Sequence, residues 1–311
     1  MGVAGRASDA RAAVLGRTWY PVGMSDVGAA RLAFAALLRE QHGVRSESLL
    51  RAFASVPREG FLGPGPWLVL EAPRGYESTP DADPCRLYAD AAVGLDPARR
   101  INNSAPGMMA RLLDALAPGE GESVVEIGCG TGYYTAILAE AVGPAGRVIA
   151  LEIDAEFARR ARRFLAPWKQ VEVHGADGTR AKLEPADAIL VGAGVTHAQP
   201  GWLGALRPGG RMVLPLTGLD PPPAVMRFGR NLAGMALLVT RSGERFSARF
   251  FERLGISPCL GGRDPAFERR LRSALQGGGA DGVRSLRREP HAAEGDCWLH
   301  SEGFCLSYRA V

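Results

Sequence analysis

The segment Val125-Glu126-Ile127-Gly128-Cys129-Gly130-Thr131-Gly132-Tyr133-Tyr134 constrains this chain more than any other. An apolar run ends in three glycines at alternate positions, and helical apolar spacing begins directly after them. That is the pattern of a strand ending in a sharp turn that opens a helix. Glycine is needed where the backbone turns tightly and approaches a ligand more closely than a Cβ permits. A dinucleotide-binding turn requires its third glycine at position 133, and that residue is Tyr133, so the third glycine comes one residue early. Glu126 stands two residues before the first glycine. A carboxylate there repels a pyrophosphate and attracts a cation, so the loop suits a positively charged ligand.

The surrounding sequence continues the rhythm. Short apolar strands are expected at 123–127, 147–153, 170–173, 188–191 and 211–216, with helices at 108–116, 134–142, 155–165 and 202–206. Strands separated by helices at this spacing predict a parallel sheet covered on both faces. The second strand ends in Leu151-Glu152-Ile153-Asp154, and an acid about 20 residues beyond the glycines is placed to accept two hydroxyl hydrogens from a ribose diol. Gly175-Ala176-Asp177-Gly178 follows the third strand, where the carboxylate can accept from an adenine amino group. With these three sites in order, the chain resembles the class I S-adenosylmethionine-dependent methyltransferases. The resemblance implies an α/β, Rossmann-like sheet with helices on both faces. It implies S-adenosyl-L-methionine as cofactor, held by Glu126, Gly128, Cys129, Gly130, Thr131, Gly132, Glu152, Ile153, Asp177 and Gly178.

The flanks narrow this further. Ala52 to Leu62 (AFASVPREGFL), Tyr88-Ala89-Asp90, Asn103-Ser104-Ala105-Pro106 and Leu206-Arg207-Pro208-Gly209-Gly210-Arg211 resemble segments of the protein-L-isoaspartate O-methyltransferases. So does a hairpin expected from 235–240 and 246–251, and the likeness runs from about Ser46 to Gly262. It implies methyl transfer to the carboxylate of an isoaspartyl or aspartyl residue in a protein or peptide. Such a carboxylate is already ionised at neutral pH, so positioning matters more than a general base. Ser104 matches the family's serine near the transfer centre and is the candidate catalytic residue; Asn103, Ser104, Ala193 and His197 are the candidate acceptor-side residues. Ser104 is equally a candidate cap for the helix beginning near Pro106. Arg99-Arg100-Ile101-Asn102-Asn103 replaces the family's Gln-Thr-Ile stretch, so three other readings stay open. They are a dedicated enzyme for one peptide, a small-molecule O- or N-methyltransferase with His197 as base, and a non-catalytic S-adenosylmethionine-binding module.

Three regions are expected: N-terminal helices and a connector or lid over 1–100, the cofactor-binding core over 101–262, and an extension over 263–311. Residues 1–24 read as an arm, and 63–100 as an extended connector. Of 37 basic residues, 35 are arginine and two lysine, a bias that points to genome composition. The net charge of +4 is spread without a dense one-signed run, which argues against a nucleic-acid partner. Nothing in the sequence suggests a signal peptide or a membrane span, and five scattered cysteines predict a reduced, cytoplasmic setting. Cys297, His300 and Cys305, with His291, offer a possible zinc set. Their spacing matches no strong finger pattern and the segment reads as well as a terminal strand, so no metal is expected.

Overall fold

The computed structural model describes residues 26–71, 74–218, 234–301 and 303–311. The expected N-terminal arm, and all but the start of the proline-containing loop at 217–231, lie outside the described residues. Helix α1 (Val27–His42) begins where the Asp26 carboxylate accepts from the Gly28 amide and ends at left-handed Gly43. Helix α2 (Glu47–Ser55) is capped by Ser46, whose hydroxyl accepts from the Leu49 amide. Side-chain oxygens satisfy amides that have no partner within the helix, which is why Asp and Ser mark these starts.

The connector is more ordered than its Pro, Asp and Gly content suggested. It holds two antiparallel strand pairs, β1 (Leu68–Glu71) with β2 (Gly75–Ser78) and β3 (Gly94–Asp96) with β4 (Ile101–Asn102). Trp67, Val69, Leu87 and Val93 form a small apolar cluster beneath them. This core is built from residues far apart in sequence, so no local periodicity announced it.

Helix α3 (Pro106–Leu116) leads into β5 (Ser123–Ile127), followed by α4 (Tyr133–Val142), β6 (Arg147–Glu152), α5 (Ala155–Phe164), β7 (Val171–Gly175), β8 (Ala186–Val191), α6 (Pro200–Ala205) and β9 (Leu206–Thr217). Strands β7, β6, β5, β8 and β9 lie side by side in that order, all parallel. The order reverses between β5 and β8, and ligands of such sheets bind at that reversal, beyond the strands' carboxyl ends. Val124, Val148 and Leu190 point to the face covered by α1 to α4, while Val125, Ile149 and Ile189 point to the other, where Trp202 and Leu203 of α6 pack. Period-two alternation within apolar strands feeds both layers at once.

The expected hairpin is β10 (Gly234–Ser242) and β11 (Arg245–Leu254), with β10 antiparallel to β9. It does not end the sheet. After α7 (Pro265–Gly277), strand β12 (Ser285–Arg287) pairs with β11. Strand β14 (Cys305–Ser307) follows it in the sheet and β13 (Cys297–Leu299) forms the edge, giving ten strands. The extension therefore continues the same sheet, and Phe267, Leu271, Trp298, Phe304 and Leu306 join the core of the second face.

Candidate functional site

The three sequence sites meet at the carboxyl ends of β5, β6 and β7. Gly128, Gly130 and Gly132 all have positive φ (84°, 57° and 94°), so the turn uses left-handed backbone three times in five residues. Side chains other than glycine's disfavour that region. At Gly132 a Cβ would also lie 2.6 Å from Leu165 Cδ1. Gly128 and Cys129 donate their amides to the Leu151 carbonyl, tying the turn to β6. Cys129 and Thr131 are buried within the loop, and burial pushes the Cys129 thiol well up, so it stays protonated.

Two carboxylates lie under and beside this turn. Glu126 is buried, with Oε2 accepting from Thr135 Oγ1 at 2.5 Å, and desolvation raises its pKa to about 7. Glu152 Oε2 accepts from the Gly130 amide at 2.7 Å and Oε1 from the Asp154 amide at 2.9 Å; burial raises its pKa too. Neither has a cationic side-chain partner among the described residues. Ionised carboxylates in such surroundings are costly unless positive charge or hydrogen-bond donors arrive. Next to Glu152, Ile153 is an apolar side chain left 45% exposed. Asp177 Oδ1 accepts from the amide and hydroxyl of Thr179, while Gly178 is buried with its carbonyl held by Trp202 Nε1. A glycine turn with a carboxylate at the end of β6, an exposed apolar side chain and a second carboxylate after β7 is a set of groups that suits S-adenosylmethionine.

The connector covers this site from above. Leu95 Cδ1 lies where it would meet a Cβ at Gly130 at 3.6 Å. Arg99 bridges Asp96 at 2.6 Å and Asp154 at 2.5 Å and lies over the Phe157 ring, which latches β3 and β4 to the start of α5. The Arg99 guanidinium holds the Asp154 carboxyl below its ordinary range. Sequence reading left Arg99 and Asp154 without a role, because the pair is 55 residues apart.

On the acceptor side, Ser104 does not cap α3. The N-cap is Ala105, which makes no side-chain cap bond. The first amide donor of the helix, Gly107 N–H, instead donates to Asp90 Oδ1 at 2.6 Å, and Asp90 Oδ2 lies 3.1 Å from His42 Nε2. Ser104 has φ 59°, a left-handed conformation rare outside glycine. It is held there because its amide donates to Asn102 Oδ1 and its carbonyl accepts from the Tyr134 hydroxyl at 3.3 Å. Tyr134 stands in the first turn after the glycines, so the Ser104 turn is tied to the cofactor loop. No hydrogen bond to the Ser104 hydroxyl occurs among the described residues.

Asn103 is buried, and its Oδ1 accepts from the Val93 amide and from Arg58. Its Nδ2 has no hydrogen-bond partner among the described residues. Arg58 itself is 1% exposed and donates to the carbonyls of Leu87, Ala89 and Ala91, so a buried guanidinium organises the connector just before Ser104. The sequence showed Arg58 only as part of a family-like segment.

Beyond β8, Gly192 passes so close to the glycine turn that a Cβ would lie 2.8 Å from the Gly128 carbonyl. Ala193 follows it and is half-buried. The next residues pair with 257–259: Gly194 N donates to the Ser257 carbonyl and Cys259 N to the Gly194 carbonyl. His197 has both ring nitrogens near partners, Nδ1 2.9 Å from Thr196 Oγ1 and Nε2 3.3 Å from Gln199 Nε2. Its ring stacks on Phe267 at 4.7 Å and meets the edge of Phe304 at 6.3 Å, and burial lowers its pKa.

Fold and site together define a class I S-adenosylmethionine-dependent methyltransferase. Comparison with known proteins agrees and is more specific. Residues 32–235 match the family model "Protein-L-isoaspartate(D-aspartate) O-methyltransferase (PCMT)". A protein-L-isoaspartate O-methyltransferase of Pyrobaculum neutrophilum is 34% identical over 212 residues, covering 66% of this chain and 87% of that protein. Another, from Methylorubrum populi, is 32% identical over 244 residues, covering 77% of this chain and 98% of that protein. In structure, the chain superposes with TM-score 0.54 and 16% identity on a putative protein-L-isoaspartate O-methyltransferase from Plasmodium falciparum, solved with S-adenosyl-L-homocysteine. That likeness covers 74% of this chain and 97% of the other and speaks for the fold. The chain belongs to the protein-L-isoaspartate(D-aspartate) O-methyltransferase family, and its cofactor is S-adenosylmethionine.

Proposed function

We propose that this enzyme methylates the carboxylate of an isoaspartyl or aspartyl residue in a protein or peptide, with Ser104 orienting the acceptor. The observation that carries the reading is the strained turn at Ser104, held at φ 59° and tied through Tyr134 to the cofactor loop. A non-glycine residue in this conformation costs on the order of 1–3 kcal/mol and persists where its surroundings over-determine it, often at functional sites. Here the strain supports a hydroxyl aimed at an acceptor.

S-adenosylmethionine supplies the activated methyl group. The chain's own task is to hold the carboxylate in line with that methyl and keep water away. Ser104 Oγ donates to one carboxylate oxygen, and the unpaired amide of Asn103 is a further donor nearby. Leu95 and the Arg99–Asp154 latch close the connector over the glycine turn. Glu152 takes the ribose hydroxyls, Ile153 packs on the adenine and Asp177 accepts from its amino group. Glu126 sets the field beneath the loop from its buried position. His197 serves as packing in this reading: its stack on Phe267 and its two close polar partners leave a base role no free nitrogen. The five cysteines are unpaired, which suits a reducing compartment.

The test uses methyl-labelled S-adenosylmethionine with an isoaspartyl peptide and its aspartyl twin, followed by mild base. Base-labile label on either peptide supports the reading, and preference for one twin fixes the acceptor. Label that appears only on a base-stable small molecule from cell extract refutes it.

A further inference from the structure

The C-terminal strands bring together four side chains that the methyltransferase site does not use. His291 lies in the loop between β12 and β13, Cys297 opens β13, His300 follows its last residue, and Cys305 opens β14. One ligand atom from each lies within 4.8 Å of all the others. We propose that these residues, His291, Cys297, His300 and Cys305, form a structural zinc site that clamps the edge of the ten-stranded sheet.

The chemistry of the donor set carries the proposal. Two imidazoles and two thiols, with no carboxylate among the four, select a borderline-soft divalent cation over calcium or magnesium. Tetrahedral zinc with bonds of about 2.0–2.3 Å places its ligand atoms roughly 3.3–3.8 Å apart. Cys297 Sγ and His291 Nε2 are 3.7 Å apart, already at that spacing. No pair of these atoms is more than 4.8 Å apart, so closing by at most roughly 1–1.5 Å reaches it.

The surroundings are those of a ligand sphere. His291 Nδ1 lies 2.8 Å from the Glu289 carbonyl. That bond puts the proton on Nδ1 and turns the lone pair of Nε2 towards Cys297, the backbone arrangement that commonly fixes metal-binding histidines. The Glu294 amide donates to Cys297 Sγ at 3.5 Å, a contact that stabilises thiolate charge. His300 Nδ1 is buried and has no hydrogen-bond partner, the one imidazole nitrogen so placed among the described residues. Ligation through Nδ1 would give that atom the partner its burial calls for.

The position explains the need. Strands β12, β13 and β14 have three residues each, and the 288–296 loop between the first two carries few apolar side chains. Short strands at a sheet edge hold little stability of their own. A closed four-ligand site would fix this loop and the terminal hairpin together. Through the hairpin it would hold Phe304 against Phe267 and His197.

The test is metal content of the full chain, produced in zinc-supplemented medium and purified reduced and without chelator. Elemental mass spectrometry should find about one zinc per chain, as expected of a single closed site. His291→Ala, a change in the loop between β12 and β13, should weaken zinc binding at least about 10–100-fold with the far-ultraviolet spectrum of the sheet retained, and Cys297→Ser should do the same. His174→Ala, at an exposed histidine elsewhere, should keep the full equivalent. Cobalt(II) titrated into the stripped wild-type protein should give the intense visible bands of tetrahedral thiolate coordination. Wild-type protein with less than a tenth of an equivalent of zinc and no such cobalt spectrum overturns the proposal. Equal zinc in wild type and in the His291→Ala, Cys297→Ser double variant overturns it as well, since the ion then sits elsewhere.

Discussion

Ser104 concentrates two separable effects in one residue. Its left-handed backbone is a strain that glycine would relieve, while its hydroxyl is the group proposed to orient the acceptor. Ser104→Gly should therefore stabilise the fold by about 1 kcal/mol less the entropy a new glycine adds, and Ser104→Ala should leave the strain in place. Both should lower kcat by at least about 10-fold, the effect of losing one hydrogen bond of about 1.5 kcal/mol in the transition state, with cofactor affinity unchanged. Matched denaturation and steady-state assays separate the two; full activity in Ser104→Ala removes the serine from the chemistry. Glu126 offers a pH test at the same scale. Its pKa is raised from 4.5 to about 7 by burial, so the folded state prefers the neutral acid. The stability this contributes is present below the ordinary carboxyl pKa and is lost as pH rises through about 7. Without cofactor, Glu126→Gln should fall behind wild type little or not at all at pH 5. By pH 8 it should overtake by a few kcal/mol, about 1.4 kcal/mol for each pKa unit. Urea midpoints at the two pH values measure this, and parallel curves would mean that Glu126 does not titrate there.

Among the elements, the connector matters most to the site. Its short strands were hidden in a stretch rich in Pro, Asp and Gly, because their partners are each other and the small cluster around Trp67 and Val93. The Arg99–Asp154 bridge is exposed on the arginine side, and such pairs add little to global stability. It joins a covering segment to α5, however, so its loss should act on opening rather than unfolding. Arg99→Ala is expected to release labelled S-adenosylmethionine several-fold faster while the thermal midpoint stays in place. A release rate equal to wild type would deny the connector its role as a lid. The helices, in contrast, followed their local signals closely. Asp26, Ser46 and Asp154 each cap a helix start as their side-chain chemistry directs. Helix α3 departs, since its Gly107 donor is satisfied by Asp90 from a distant segment instead of by Ser104.

At the scale of the whole molecule, the extension proves to be part of the one sheet. Removing 263–311 would bare the outer edge of β11 and take Phe267, Leu271, Trp298 and Leu306 from the second core face. Exposed strand edges beside apolar surface promote association. A chain ending at Gly262 should be recovered mainly as aggregate, although the family likeness ends near that point. A soluble, monomeric product that binds S-adenosylmethionine with full affinity would contradict this. The sequence by itself determined the parallel α/β order and the glycine turn, and it put Glu126, Glu152 and Asp177 at or just beyond the carboxyl ends of three strands. These are set by period, by the steric freedom of glycine and by charges within a short reach of the turn. Only the tertiary structure decided the Arg99–Asp154 bridge, the strain at Ser104, the packing of His197 against Phe267 and Phe304, and the gathering of His291, Cys297, His300 and Cys305. Each depends on side chains brought together by packing between segments or by a turn's geometry, which no local pattern of spacing records.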